Sequence, residues 1–321
     1  QVKRKNSLIA LALSLLLLPI AAVWTQGTLK AYSGQIFETE SPYNYVQVVR
    51  QDDCNYLLLN EGQAFHSFWC DDGRVPRISV WSIMLSAPYF NETVNDIETM
   101  AVIGLAAGTI PKQYIQVYEN IAIDGIELDP AIAQAGRDYF EMNDPQLNVI
   151  IGDGRFELNQ LDGRYDIITL DAYKVPYIPW HLTTQQFFEE IAAHLNEDGV
   201  LAMNVGRAPE DRRLVDALTA TLQTVYPTVY AIDVPGSLNT ILVATMEPTR
   251  ALNLVGNWEK LTGNVDPLLE AALETAVSNL VPITPSDIIF TDERAPVETL
   301  IDSLVMRYLL REGMAGLSEF E

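Results

Sequence analysis

Four apolar runs with small or acidic residues at their ends recur through the middle of the chain, and they constrain its fold more than any other feature. They occupy residues 102–109, 125–129, 150–154 and 167–171. Their spacing leaves room for one helix between successive strands, which is typical of a parallel α/β sheet. We therefore predict a Rossmann-like, doubly wound sheet with helices on both faces.

The first run opens into a loop of small residues that includes Gly104, Ala106 and Gly108. Small residues remove the side-chain obstacle to a ligand, and a helix that begins there presents its electropositive end. The loop therefore predicts a nucleotide site in which backbone N–H groups face the ligand.

Acidic residues lie at the ends of the next three runs. Glu127 can accept hydrogen bonds from both hydroxyl groups of a ribose, a pairing typical of this fold class. Asp153, with Gly154 beside it, and Asp171 follow at the next two strand ends. With the glycine loop, these carboxylates predict an adenosyl pocket. The alternatives are that Glu127 and Asp153 are only hydrogen-bonding strand ends, and that Asp171 caps the loop after it.

Residues 7–24 carry no charge and follow the basic trio Lys3, Arg4 and Lys5. As a helix this segment spans about 27 Å, adequate for a bilayer core, so it predicts a transmembrane helix. A cleaved signal peptide is the alternative. Because basic residues stay in the cytoplasm, we expect a single-pass membrane protein whose large domain lies outside the cytoplasm.

Cys54 and Cys70 flank a segment that resembles a β-hairpin, and they are nearly equidistant from its turn. They are either a disulfide or two buried free thiols. A disulfide would favour an extracytoplasmic domain. With His66 they form no recognisable metal-ligand spacing, so we expect no metal site.

The formal charge of −23 and the pI of about 4.3 argue against nucleic-acid binding, because an acidic protein repels a phosphate backbone. The same charge attracts cations, polyamines among them. By itself, however, the charge favours the simpler interpretation of an acidic surface that keeps the protein dispersed in water.

Shifts in pattern divide the chain into five parts. We predict a basic cytoplasmic tail, a transmembrane helix, a small antiparallel β domain, a Rossmann-like nucleotide-binding domain and a C-terminal helical extension, at residues 1–6, 7–24, 25–80, 81–248 and 249–321.

Motifs along nearly the whole chain after residue 24 resemble the spermidine synthase (polyamine aminopropyltransferase) family, whose fold contains a methyltransferase-type sheet. The matching segments are residues 40–43, 104–111, 124–130, 152–155, 170–173, 177–188 and 291–298. The last two most resemble bacterial members that are fused to membrane segments, in agreement with the predicted helix.

The resemblance implies that decarboxylated S-adenosylmethionine donates an aminopropyl group to a polyamine, leaving methylthioadenosine. Glu127 would hold the ribose and Asp153 the adenine amino group, beside Gly104, Ala106, Gly108 and Gly154. Asp171 would take the proton from the attacking amine, with Tyr173 as the second catalytic residue. The family also implies a homodimer formed through the β region.

Four positions depart from the family pattern: Ala107 replaces a loop carboxylate, Trp81 and Ser86 stand where His is usual, and Lys174 replaces an acidic residue. A lysine opposes a diamine substrate. The main alternative is therefore a catalytically degenerate accessory or structural subunit of a membrane complex. Because Ala107 removes a repulsion against ordinary S-adenosylmethionine, methyl transfer is a third hypothesis.

Overall fold

The computed structural model describes residues 30, 32–60, 64–173, 177–261, 263 and 265–312. The predicted transmembrane helix at residues 7–24 and the departure at Lys174 both lie outside these residues. Within the described part, no helix combines the length and the apolar character needed to cross a bilayer.

An antiparallel sheet of four strands comes first, and its strands are paired in chain order. Strands β1 to β4 are Gln35–Glu40, Tyr45–Gln51, Cys54–Leu59 and Phe65–Cys70. The register places Cys54 directly opposite Cys70, and the two form a disulfide. The pairing that the sequence left open is thus decided by the register of β3 and β4.

The second sheet has eight strands in the order β12-β10-β11-β9-β8-β5-β6-β7. Strands β5 to β12 are Thr99–Ile103, Ala122–Glu127, Leu147–Ile151, Tyr165–Leu170, Leu195–Gly206, Thr228–Asp233, Asn239–Thr245 and Leu280–Val281. Strands β5 to β9 are parallel, as predicted. From β5, strands β6 and β7 extend the sheet toward one edge, and β8 and β9 extend it toward the other.

The other edge of this sheet is antiparallel, which the predicted parallel sheet did not include. Strand β11 pairs antiparallel with both β9 and β10, and β12 pairs antiparallel with β10. The short connection at residues 234–238 explains the pairing of β10 with β11, because a parallel connection needs a crossover of a dozen or more residues. The predicted α/β fold class holds, with a mixed sheet.

Nine α-helices connect and cover these strands in the described part of the chain. Helices α1 to α9 are Val80–Ile83, Thr109–Val117, Pro130–Tyr139, Gly154–Leu158, Gln185–Ala193, Arg213–Leu222, Ala251–Lys260, Pro267–Ser278 and Val297–Glu312. Short 3₁₀ helices occupy Met84–Phe90 and Trp180–Leu182.

Apolar cores lie on both faces of the large sheet. Along β5, Met100 and Val102 point into one core, whereas Ala101 and Ile103 point into the other. This alternation follows from the two-residue period of a strand. Both faces are covered, so the loops at the carboxyl ends of the parallel strands are left to form a site.

Asp129 joins the small sheet to the large one. Its Oδ1 caps α3 by accepting the N–H of Ala131, with Pro130 at the first helical position. Its Oδ2 accepts hydrogen bonds from Ser41 at 2.5 Å and from Asn44 at 3.0 Å. The motif at residues 40–43 therefore acts at the junction between the sheets.

Candidate active site

A cleft of about 1120 Å³ opens at the carboxyl ends of the parallel strands. It extends from the loop after β5, across the end of β8, to the loop between β10 and β11. Strands β5 and β8 are neighbours in the sheet, and their following connections run in opposite directions. Ligands of open α/β sheets bind at such a switch point.

Asp171 lies in the middle of this cleft, directly after β8. Its Oδ2 accepts the indole N–H of Trp81 at 3.1 Å, and its Oδ1 accepts a hydrogen bond from Nδ2 of Asn204 at 2.9 Å. Burial raises the pKa of the Asp171 carboxyl above its ordinary value, partly offset by these two donors. A fixed carboxylate whose pKa is raised accepts a proton more readily than a carboxylate in water.

A chain of polar side chains fixes the orientation of the Asn204 amide. Oδ1 of Asn204 accepts a hydrogen bond from Nδ2 of Asn239 at 2.8 Å, and Oδ1 of Asn239 accepts one from Ser237 at 2.6 Å. The amide nitrogen of Asn204 therefore faces Asp171. The carboxylate is positioned by three strands that are distant in sequence.

Tyr173 lines the cleft, but its hydroxyl is engaged with the backbone of β9. It donates to the carbonyl of Asn204 at 2.9 Å and accepts the N–H of Gly206 at 2.8 Å. Burial raises the pKa of the Tyr173 phenol. These contacts favour a positioning role at the end of β9 over proton transfer.

The glycine loop forms one wall of the cleft through Gly104 and Ala106, both of which have positive φ, at 90° and 49°. A Cβ on Gly104 would lie 2.4 Å from the carbonyl oxygen of Asp171, so only glycine fits. Gly108 precedes α2 as its N-cap with φ 89° and does not line the cleft.

Glu127 lies directly behind this loop. Its Oε2 accepts the N–H of Ala106 at 2.8 Å and its Oε1 accepts the N–H of Asp129 at 2.9 Å. Burial raises the pKa of Glu127 to about 7. The carboxylate is bonded to a loop residue of the cleft wall, although it does not line the cleft itself.

Asp153 is further from the cleft, at the end of β7. Its Oδ1 caps α4 by accepting the N–H groups of Arg155 and Phe156, and its Oδ2 lies 2.9 Å from Nε2 of His181. Gly154 packs against Ile103, where a Cβ would come within 2.5 Å of Cγ2. The structure thus brings Gly104, Ala106, Asp171 and Tyr173 together on the cleft wall, with Glu127, Asp153, Gly154 and Gly108 around it.

Several residues of the cleft were not singled out by the sequence patterns. Asn204 ends an apolar run in β9 and could have been found by the same strand-end pattern as Asp171. In the sequence Trp81 stands out only as a departure from the family pattern, whereas in the structure it donates to Asp171. Asn239 and Arg207 carried no local signal.

Ala107, the other informative departure, is buried against the small sheet. It packs with Val46 and Ile132 and donates its N–H to Oγ of Ser67 at 2.9 Å. No carboxylate is supplied from that position. Among the described residues, no group of three or more His, Cys, Asp or Glu side chains is arranged to hold a metal ion.

Comparison with known proteins places this geometry in context. Residues 98–254 match the family described as "Spermine/spermidine synthase domain". The "Probable polyamine aminopropyl transferase" of Bifidobacterium longum is 29% identical over 309 residues, covering 88% of this chain and 68% of the relative. The "eEF1A lysine and N-terminal methyltransferase" of Mus musculus is 28% identical over 165 residues, covering 48% of this chain and 23% of the relative.

Among solved structures, spermidine synthase from Thermotoga maritima superposes with a TM-score of 0.61 at 15% identity. The match covers 77% of this chain and 84% of that protein. At this level of identity the match shows the shared fold, a small β-sheet before a Rossmann-like sheet of the methyltransferase type.

Proposed function

We propose that this chain, whose residues 98–254 match the spermine/spermidine synthase domain, acts as a member of that family and transfers an aminopropyl group from decarboxylated S-adenosylmethionine to an amine. In this step the amine nitrogen forms a bond to the carbon next to the sulfonium. The carbon–sulfur bond breaks, its electron pair stays on sulfur, and methylthioadenosine leaves. The proton lost by the amine goes to a base.

The position of Asp171 carries this proposal. An alkylammonium with a pKa near 10 cannot attack until it is deprotonated. Asp171 faces the cleft at the switch point, held by Trp81 and Asn204, and its pKa is raised by burial. The carboxylate attracts the ammonium and accepts its proton, while the cleft aligns amine and sulfonium for in-line attack.

The nucleoside would lie on the side of β5, β6 and β7. Glu127 lies behind the loop that contacts the cleft, so its carboxylate is placed to receive the ribose hydroxyls if it releases the Ala106 N–H. Asp153 would need to exchange its contact with His181 for the adenine amino group. The two carboxylates therefore support S-adenosylmethionine-type binding with rearranged hydrogen bonds.

Methyl transfer from S-adenosylmethionine is the second candidate. It is favoured by the methyltransferase relative and by Ala107, which places no carboxylate beside the methionyl carboxylate of that donor. The degenerate subunit predicted from the departures gains no support from the comparisons, and Trp81, one of those departures, donates to Asp171.

We also propose a membrane anchor at residues 7–24 with the catalytic domain outside the cytoplasm. The disulfide between Cys54 and Cys70 supports this placement, because such bonds persist in oxidising compartments. Protease accessibility of the domain in intact cells tests it, and protection from protease would contradict it.

Calorimetric titration of the full chain with decarboxylated S-adenosylmethionine, S-adenosylmethionine and methylthioadenosine tests the function. Tighter binding of the decarboxylated donor supports aminopropyl transfer, and preference for the carboxylated donor supports methyl transfer. Heat with none of the three, from folded protein, would contradict both.

The variant D171N then tests the base. We expect the transfer rate to fall about 10²- to 10⁴-fold, while methylthioadenosine affinity changes less than about twofold, since the nucleoside lies on other strands. D287N, at an exposed aspartate outside the cleft, is the control. A D171N variant with undiminished transfer would exclude Asp171 as the base.

A further inference from the structure

The order of the strands divides the cleft into two halves around Asp171. On one side of β8, Gly104 follows β5, Glu127 ends β6 and Asp153 follows β7. Strands β9, β11 and β10 follow one another on the other side. Neighbouring strands are about 4.8 Å apart, so the end of β9 lies roughly 10 Å from the end of β5. If the nucleoside occupies the first half, the second half holds the acceptor.

Arg207 lies in this second half, directly after β9. Its side chain is 13% exposed, and its Nη2 donates to the carbonyl of Ser237 at 3.3 Å. Nε is buried and makes no hydrogen bond within the described part of the chain. Nε therefore has only an ion-pair contact at 3.5 Å, with Oδ1 of Asp233, and its hydrogen-bonding capacity is not satisfied by the described residues around it.

The carboxylate nearest to Arg207 is already engaged with other donors. Oδ1 of Asp233 is 3.5 Å from Nε of Arg207. Both oxygens of Asp233 accept from Nη1 of Arg212, at 2.9 and 2.8 Å, and Oδ1 also accepts from Thr240 at 2.7 Å. Asp233 is thus shared between Arg207 and Arg212, and Arg212 also interacts electrostatically with Asp216.

A positive charge is unusual in this molecule, which has 20 Lys and Arg residues against 43 Asp and Glu. Arg207 is the only Lys or Arg among the described residues that line the cleft. A simple diamine held by Asp171 would direct its second ammonium toward this half, where a like charge disfavours it. Among the described residues that line the cleft, Arg207 is thus the one cationic partner for an anionic group.

We propose that the acceptor is an amine that also carries a carboxylate, as a diamino acid does, with the carboxylate bound by Arg207 and the reacting amine at Asp171. The inference rests on the proposed transfer reaction and specifies its substrate class. Arg207 is three residues beyond Asn204, which contacts Asp171, so along an extended strand the two sites are about 10 Å apart or less. The arginine side chain spans part of this distance, so that the space left between the guanidinium and Asp171 is about the length of a small amino acid.

Ornithine and putrescine are the matched probes, because they differ only by the carboxylate. We expect the full chain, saturated with methylthioadenosine, to bind ornithine about tenfold more tightly than putrescine in calorimetry. In R207Q the preference should fall to within about twofold. R250Q, at an exposed arginine outside the cleft, should keep the wild-type preference.

Equal affinity for the two probes, tighter binding of putrescine, binding of neither, or a preference that survives in R207Q would each overturn the proposal. The alternative is that Arg207 binds the carboxylate of S-adenosylmethionine, the donor of the transferred group. If R207Q weakens S-adenosylmethionine but not ornithine, Arg207 serves the donor and the acceptor assignment is wrong.

The same titrations separate this inference from the proposed function. If none of the three nucleosides binds folded wild-type protein, the proposed function fails, and ornithine is then compared with putrescine in the absence of a nucleoside. If methylthioadenosine binds and ornithine shows no advantage, only the substrate class is overturned.

Discussion

At the scale of single residues, the reactivity of Asp171 depends on the donors that surround it. Burial raises the pKa of its carboxyl, while the Trp81 indole and the Asn204 amide lower it by stabilising the ionised form. Hydrogen bonds to a charged acceptor are stronger than neutral ones. Trp81 is thus a positioning residue that acts through Asp171.

Replacing Trp81 with Phe removes one of these donors and keeps an aromatic ring. We expect the pKa of Asp171 to rise, so that the acidic limb of the pH profile of kcat/KM moves to higher pH. At neutral pH kcat/KM should fall about tenfold. W258F, at a tryptophan on α7, is the control. An unchanged acidic limb in W81F would show that the indole does not tune the base.

Glu127 provides a second prediction at this scale, through its pKa of about 7 against an ordinary value of 4.5. Between these values the folded protein holds more protons than the unfolded chain. Stability therefore falls as pH rises from about 4.5 to about 7, by roughly 3 kcal/mol for this group. Above pH 7 and below pH 4.5 the contribution of Glu127 to the slope vanishes.

E127Q cannot ionise, so its free energy of unfolding should lack this part of the pH dependence. Urea unfolding at several pH values between 4.5 and 7 measures the difference. E119Q, at an exposed glutamate, should retain the wild-type slope. Parallel pH curves for E127Q and wild type would show that the pKa of Glu127 is not raised in the folded protein.

At the scale of elements, the loop between β5 and α2 packs its backbone directly against the backbone of the loop after β8. Gly104 has φ 90°, and its added Cβ would meet the Asp171 carbonyl at 2.4 Å. Gly73 also has positive φ, at 71°, but nothing lies within 4 Å of its added Cβ. Both glycines therefore have positive φ, but only Gly104 lacks space for a Cβ atom.

The pair G104A and G73A separates backbone strain from collision. We expect G73A to lose about 1 kcal/mol of unfolding free energy, since alanine disfavours positive φ. G104A should lose at least about 2 kcal/mol more, because Asp171 must also move. Urea denaturation measures both. Equal losses would mean that the loop after β5 and the loop after β8 are not tightly packed against each other.

At the scale of the whole molecule, Arg155 connects three distant parts of the chain. It lies on α4 and forms ion pairs with Glu190 of α5 and with Asp292, which precedes α9. The contact with Asp292 is bidentate, at 2.8 and 2.9 Å. Both carboxyl groups have lowered pKa values. The pKa of Asp292 is lowered chiefly by its hydrogen bonds from Arg155. The pKa of Glu190 is lowered because the hydrogen bonds from Arg155 and Asn159 outweigh the opposing effect of burial.

R155Q leaves two partly buried carboxylates without their cation, and we expect a loss of about 2–4 kcal/mol of unfolding free energy. R155K should recover less than half of this loss, because an ammonium cannot form the planar two-point contact. R137Q, at an exposed arginine of α3, is the control. An unfolding midpoint of R155Q equal to that of wild type would show that the ion pairs of Arg155 do not stabilise the C-terminal segment.

The strand ends, the glycine loop and the order of the acidic residues were predictable from the sequence, because they follow from local periodicity and from the chemistry of single residues. From these features follow the α/β fold, the resemblance to the spermidine synthase family and Asp171 as a candidate base. The helix at residues 7–24 stays a prediction, since it lies outside the described residues.

Tertiary structure alone decided which side chains meet at the site. Trp81 and Asp171 are 90 residues apart, and Asn204 and Asn239 are 35 apart. It also decided the pairing of Cys54 with Cys70. Local periodicity says which face a residue occupies but not which strands become neighbours or in what register. The surroundings of Asp171, and with them its chemistry, are therefore set by long-range strand order.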